Sequence, residues 1–453
     1  MTATSPTLPP GPRLPRALQT LGWGARTGPF LKRCRQRYGD TFTLRIAQEG
    51  TWVFLTHPDA VRDVFKGDPR LLHAGEANVV LLPLVGRHSV LLLDEDEHMR
   101  QRKLMLPPFH GERMTRYREL MTAVTERELR RWPAGEPIAL RPGMQAVTLE
   151  VIIRAVFGVR DEDRLELMRR RLGEALDLTT DWRSMLALAT VGPQRMYRLR
   201  YFQRELDPVN ELLLEEIRLR RDAPDLEERD DVLSLLLQAR HEDGSAMSDA
   251  ELRDELMTLL AAGHETTATA LAWAVERLIR HPDKLARLTE EASAGEDAYA
   301  DAVVKETLRL RPVLPIVVRR LQEEMEIAGW RLPAGAAVAP CIYLMHRRRE
   351  VYPEPERFRP ERFLEQPAGT YTWIPFGGGV RRCLGASFAL FEMKTVLSTL
   401  VTRLNLRAAD PRPERITRRA ITLTPARGAE VVVEPRDGGR VRPRQAKPAE
   451  AAV

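Results

Sequence analysis

Three consecutive glycines, Gly377 to Gly379, followed four residues later by Cys383, constrain this chain more than any other feature. The stretch reads WIPFGGGVRRCLGASFALFEMKTVL from Trp373 to Leu397. Adjacent glycines are too costly to fix in a helix or a good strand, so they specify a tight loop where main chain approaches something closely. Gly385 follows, and good helix formers run on from Ala386. Cys383 therefore sits at a loop-to-helix junction, where backbone N–H groups and the helix dipole stabilise a thiolate. Arg381 and Arg382 add positive charge beside it. Such a thiolate serves as a nucleophile, a redox sensor or a metal ligand. A nucleophile wants a nearby base and none is obvious, while a buried structural role is the commonest fate of a lone cysteine. Local chemistry leaves these readings open.

The other two cysteines, Cys34 and Cys341, are remote, and no C-x-x-C pair occurs. This argues against a disulfide framework or a zinc site and fits a reducing cytoplasm. With 453 residues, 43% hydrophobic and 30% charged, the chain can bury a core and enclose a cavity. A formal net charge of +6 admits nucleic acid, an acidic membrane or an acidic protein as partner. No nucleic-acid motif or basic stripe supports the first. Neither the N-terminal MTATSPTLPPGPRLPRAL nor any later segment approaches the roughly 18 apolar residues of a membrane span. A soluble, cytoplasmic protein without a membrane span is expected. Residues 1–16 read as a Pro-rich arm, 17–435 as one compact unit and 436–453 as a disordered basic tail.

Two patches read as β. Phe42 to Leu55 alternates apolar residues around Glu49-Gly50, a hairpin pattern, and Met325 to Ala339 has short apolar pieces split by Gly and Pro. Elsewhere the pattern is helical, with apolar positions at 3–4 spacing over Glu205–Arg221, Asp249–Arg280 and Ala298–Leu310. The expected fold class is mainly α with a small β-rich subregion.

Three helical segments carry unusual residues. In KETLRLRP, Glu306 and Arg309 share one face among Val303, Val304, Leu308 and Leu310. Burial on such a helix obliges the charges to find partners. In AAGHETTATALAWAVERL, Gly263, Thr266, Thr267 and Thr269 cluster mid-helix, which points to a local distortion by hydroxyls bonding to i−4 carbonyls. In DEDEHMRQRKLMLPPF, His98 and Arg102 lie at i,i+4 on a helix ended by Pro107-Pro108.

Phe376, Gly379, Arg381, Cys383 and Gly385 match F-x-x-G-x-R-x-C-x-G, so the chain resembles the cytochrome P-450 family. The family's A-G-x-[DE]-T-[TS] is similar to Ala262 to Thr267, its E-x-x-R to Glu306 and Arg309, and its H-x-x-x-R to His98 and Arg102. These occur in the family's order, covering about residues 10–435. The resemblance implies a single haem-enclosing unit with heme b, whose iron is held by the Cys383 thiolate. Arg381, His98, Arg102 and Arg319 would meet the haem propionates, with Arg320 the alternative to Arg319. Thr266 would hydrogen-bond bound dioxygen and Glu265 would help relay protons, while His264 falls at a variable, structural position. PERFRPERF holds two copies of P-E-R-F; Arg362 fits the register of the third charge-network member and Arg357 is the runner-up.

The implied reaction inserts one oxygen atom from O2 into a C–H or C=C bond. The resemblance points to soluble bacterial members that act on fatty acids or terpenoids. Val79–Val90, residues 170–205, the start of the long helix and Val313–Val318 would line a lipophilic cavity, where Arg87 and His88 are candidates to grip a carboxylate. Electrons from NAD(P)H would arrive through a separate ferredoxin or flavodoxin and its reductase, drawn to Arg102, Lys103, Arg381 and Arg382. A monomer is expected. Alternatives are a peroxide-driven peroxygenase on the same fold, against which Glu265-Thr266 speaks, and a non-enzymatic haem-based gas sensor.

Overall fold

A computed structural model describes residues 8–109, 113–178 and 182–436. Its axis is the helix Asp249–Ile279, which begins with a capping box: Ser248 Oγ accepts from Glu251 N and Glu251 Oε2 accepts from Ser248 N. Most of its side chains are buried on every face, so other elements wrap it. The helix Leu140–Phe157 packs along it most extensively. Gly263 permits that approach, since a Cβ there would stand 3.2 Å from Ile152 Cδ1. Trp273 fixes the far end by donating its indole N–H to Leu423 O at 3.0 Å.

The molecule is mainly α with small sheets, as the periodicity indicates. Ala298–Leu310 forms the expected helix, Asp249 starts its helix as read, and Glu205–Arg221 is the greater part of a helix from Arg200 that contains Pro208. The Glu49-Gly50 hairpin joins strands Thr41–Ile46 and Gly50–Leu55. These continue through Ala337–Pro340 and Arg319–Leu321 to Leu72–His73, giving a five-stranded sheet. Its fourth strand delivers Arg319 to the site. Before the first helix, Pro9 and Pro10 lie along this sheet, accepting from Thr43 Oγ1 (2.8 Å) and Thr43 N (3.0 Å). Residues 437–453, nearly all of the expected tail, fall outside the described residues.

The helical reading of the C-terminal region needs correction. Leu404–Ala408, Ile416–Arg419, Thr422–Pro425 and Glu430–Pro435 are strands. Each is short and cut by Arg or Pro, and Glu430–Pro435 pairs partly with Pro137–Ala139, far away in sequence. A partner so distant leaves no local periodicity to read.

Candidate active site

The cysteine loop is shaped by what presses on it. Gly379 has φ +64°, and a Cβ there would meet Phe65 O at 2.1 Å; at Gly378 one would meet the Phe65 ring at 2.2 Å. Only glycine accommodates both the turn and the helix Pro58–Lys66 behind it. Cys383 N donates to Phe376 O (3.0 Å), and the Phe376 ring packs edge-on against Trp373. Cys383 precedes the helix Ala386–Arg403 and is exposed, unlike Cys34 and Cys341, which are buried. Surrounding protein nonetheless pushes its thiol pKa up, while the Gly385 N–H, Arg102 and Arg382 pull it back. The sulfur thus faces open space within a desolvated, electropositive setting.

Behind the loop lies a charge network in which each guanidinium is paired with a carboxylate. Glu306 and Arg309 are both wholly buried. Arg309 Nε and Nη2 donate to the two oxygens of Glu306 at 2.6 and 2.8 Å, and Nη1 donates to His346 O and Pro355 O, each at 2.8 Å. Arg362 Nε reaches the same carboxylate at 3.1 Å, and Arg359 N donates to it at 2.8 Å. Arg357 offers only its carbonyl, its side chain being exposed against Glu354. His346, which sequence reasoning overlooked, ties the network to the loop: its Nε2 accepts from Ile374 N at 2.9 Å. Burial holds its imidazole well below the usual histidine pKa, so it stays neutral.

A second cluster, on the other side of the loop, is not closed. His98 is buried, and desolvation with the fields of Arg381, Arg102 and Arg319 lowers its pKa to about 3. Burial likewise lowers Arg319 and Arg381 to about 10, and each feels the other's repulsion or that of Arg102. Arg319 makes one hydrogen bond, to Val318 O. Arg381 bonds Val90 O, Leu93 O and Asp94, yet its buried Nε has no partner among the described residues. Asp94 pairs with Arg381 and its field reaches Arg319, but neither Arg319 nor Arg102 has an ion-pair partner among the described residues, which leaves two positive charges unmatched. Arg320 points elsewhere, bonding Gly335 O.

On the central helix, Ala262 is exposed and Ala261, Gly263, Glu265 and Thr266 are partly so, while His264 and Thr267 are buried. Thr266 Oγ1 donates to Ala262 O at 2.6 Å, the back-bond that loosens a helix locally. Glu265 is held by Gln145 Nε2 (2.6 Å) and Arg141 Nη1 (3.1 Å), with Thr269 Oγ1 at 3.3 Å. His264 is buried, with its pKa lowered to about 4 mainly by desolvation. The basic cluster, a cysteine whose sulfur faces open space and the partly exposed Thr266 suit a dianionic metal cofactor.

Comparisons with known proteins agree. A family model described as Cytochrome P450 matches residues 8–433. The chain belongs to the cytochrome P450 family. A Mycobacterium tuberculosis protein provisionally named cytochrome P450 135B1 is 43% identical over 432 residues, spanning 94% of this chain and 91% of the relative. Another, provisionally cytochrome P450 135A1, is 39% identical over 431 residues, spanning 94% and 95%. A solved structure, retinoic acid-bound cyanobacterial CYP120A1, superposes with a TM-score of 0.82 at 24% identity, spanning 95% of this chain and 100% of its own. This P450 is therefore an enzyme of a haem-iron monooxygenase family.

The residues present fit haem: its two carboxylates equal the two charges that the basic cluster leaves unmatched. Other expected positions divide. Arg87 is exposed over the Tyr197 ring (5.8 Å), on the surface and not in the interior. Lys103 and Arg100 are paired with Glu242 (2.6 Å) and Asp243 (2.7 Å), while Arg382 and Val380 stand exposed near the cysteine loop. Among the described residues no single helix is long and apolar enough to cross a membrane. Sequence reasoning missed Arg141, Gln145 and Asp94. Arg141 and Gln145 lie on a helix with no motif, and Asp94 resembles any residue that starts a helix.

Proposed function

We propose that this P450 is a haem-thiolate monooxygenase that oxidises a lipophilic substrate, of fatty-acid or terpenoid class, with O2. The observation that carries the reading is the open basic cluster beside a cysteine whose sulfur faces open space. Cys383 would hold the iron, with the Gly385 N–H tempering the sulfur. Arg102, Arg319 and Arg381 would bind the two haem carboxylates, and His98, neutral, would donate one N–H. When bound, haem supplies the oxygen activation that no side chain can provide. The chain's part is then proton supply and shape. Glu265, fixed by Arg141 and Gln145, would pass protons inward, and Thr266 would hold a hydroxyl at the open face of its helix. Electrons would come from NAD(P)H through a ferredoxin or flavodoxin and its reductase docking near Arg382.

The test is the carbon monoxide spectrum of the reduced protein. Wild type should show the red-shifted band of thiolate ligation and Cys383→Ser should lose it; a Cys383→Ser protein that kept the band would sink the assignment. Glu265→Gln should retain the band but slow turnover about 100-fold with a changed solvent isotope effect. Spin-shift titration with fatty acids and with sesquiterpenes separates the two substrate classes. Fast turnover with peroxide and none with a reductase pair would favour the peroxygenase.

A further inference from the structure

Asp94 stands at the start of the helix Glu95–Met105, where an aspartate ordinarily caps the helix with its own carboxylate. Here it makes no such bond. Its Oδ1 instead accepts from Ala74 N and Gly75 N, each at 2.8 Å, and its Oδ2 from Glu76 N at 3.0 Å. The same carboxylate pairs with Arg381. The local cap, ordinarily stabilising, is given up for the longer reach.

The geometry closes a neck. Ala74–Glu76 and Leu91–Asp94 are the two ends of one loop, and Asn78 Nδ2 also donates across it to Leu91 O at 3.2 Å. The ends approach so closely that a Cβ on Gly75 would stand 2.2 Å from Leu92 O. Glu95 is held at φ +50°, a left-handed conformation unusual for a side chain of its size, and its carboxylate lies 2.9 Å from His73 Nε2. The loop's far side is pinned to the central helix. Asp254 accepts from His88 N (2.9 Å), Glu255 from Val90 N (2.8 Å), and Thr258 Oγ1 donates to Ser89 Oγ (2.7 Å). Arg381 completes the connection by donating to Val90 O and Leu93 O inside the loop.

We infer that Asp94 is a positioning residue that makes retention of haem by the basic cluster and closure of the 74–94 loop a single event. The inference rests on the haem reading above. Arg381 is shared: one part of its guanidinium holds the loop through Asp94, and its unpartnered Nε belongs to the open cluster. Loosening the neck frees Arg381 to swing, and loss of Arg381's hold on the cofactor frees the loop.

The test uses two holoenzyme variants, Asp94→Asn and Gly75→Ala, with two readouts: haem transfer to apomyoglobin and amide exchange at Ala74, Gly75 and Glu76. In Asp94→Asn both should rise, transfer about tenfold, with the thiolate-type spectrum kept. A Cβ on Gly75 would stand 2.2 Å from Leu92 O and 2.7 Å from Asp94 Oδ2, so Gly75→Ala forces the neck apart while keeping the Asp94 carboxylate and Arg381 in the chain, and it should also speed transfer. Faster exchange with unchanged transfer in either variant overturns the coupling, and so does faster transfer with an unchanged neck. If Asp94→Asn does not accumulate as folded protein, Gly75→Ala decides alone. A wild-type protein that takes up haem without thiolate ligation would instead count against the haem-thiolate reading, a distinct result.

Discussion

The two buried charge clusters flanking the cysteine loop differ in one respect that sorts their roles. Around Glu306, Arg309 and Arg362 share the carboxylate and His346, Pro353, Pro355 and Arg357 supply oxygens, with Arg362 Nη2 alone of these nitrogens without a partner among the described residues. Around Asp94, Arg381 pairs with the carboxylate and Arg319 feels its field, while neither Arg319 nor Arg102 has an ion-pair partner among the described residues. A closed cluster is architecture, because breaking it strands a charge in low dielectric. An open cluster is a binding site, because only a ligand completes it. Proximity to the cysteine does not distinguish the two; whether each guanidinium has a carboxylate partner does.

The contrast can be broken by mutation. Glu306→Ala should have the largest effect, stranding two buried guanidiniums at a cost of about 3–5 kcal/mol. Little folded holoenzyme should accumulate, as read by circular dichroism and haem content. Arg319→Leu should behave in the opposite sense: the fold survives, since repulsion is relieved, but haem transfer to apomyoglobin accelerates about 10- to 100-fold. If both substitutions unfold the chain equally, the distinction between closed and open clusters fails.

Glu392 offers a third case, a buried carboxyl with one oxygen unpartnered among the described residues and a pKa pushed up to about 8 by burial. Its charge is neutralised by a proton and not by a partner. Between the ordinary glutamate value of 4.5 and about 8, the folded state keeps a proton that the unfolded chain has released. This group's contribution therefore falls as pH rises through that window and is flat above it. Glu392→Gln should raise the denaturation midpoint over wild type at pH 8, with the gain shrinking toward pH 4. A gain independent of pH would show that the carboxyl is not the cause. The smallest effect belongs to Arg357→Ala, which removes an exposed side chain and should change stability by about 0.5 kcal/mol or less.

Much of this was legible because it resides within single elements. The glycine loop ahead of Cys383, the Glu306–Arg309 spacing and the back-bonding Thr266 follow from local geometry that covalent chemistry sets. The C-terminal strands were not legible, since a short strand is stabilised by a partner and not by its own pattern. Nor were Arg141 and Gln145, which carry no motif and matter only because the helix Leu140–Phe157 lays them against Glu265.

The sequence by itself determined that one cysteine sits in an electropositive glycine loop ahead of a helix, and that a Glu–Arg pair lies on a buried face. Tertiary structure decided between equivalents. Two P-E-R-F copies offered Arg357 and Arg362, and only packing put the second against Glu306. Neighbouring Arg319 and Arg320 alternate across a strand, and the sheet turned the first toward Arg381 and the second toward Gly335. Asp94 gave up its own helix for backbone amides some twenty residues earlier, a choice made by the loop's closed neck. Partners within one turn follow from chain geometry, whereas partners across the chain exist only once the core has brought them together.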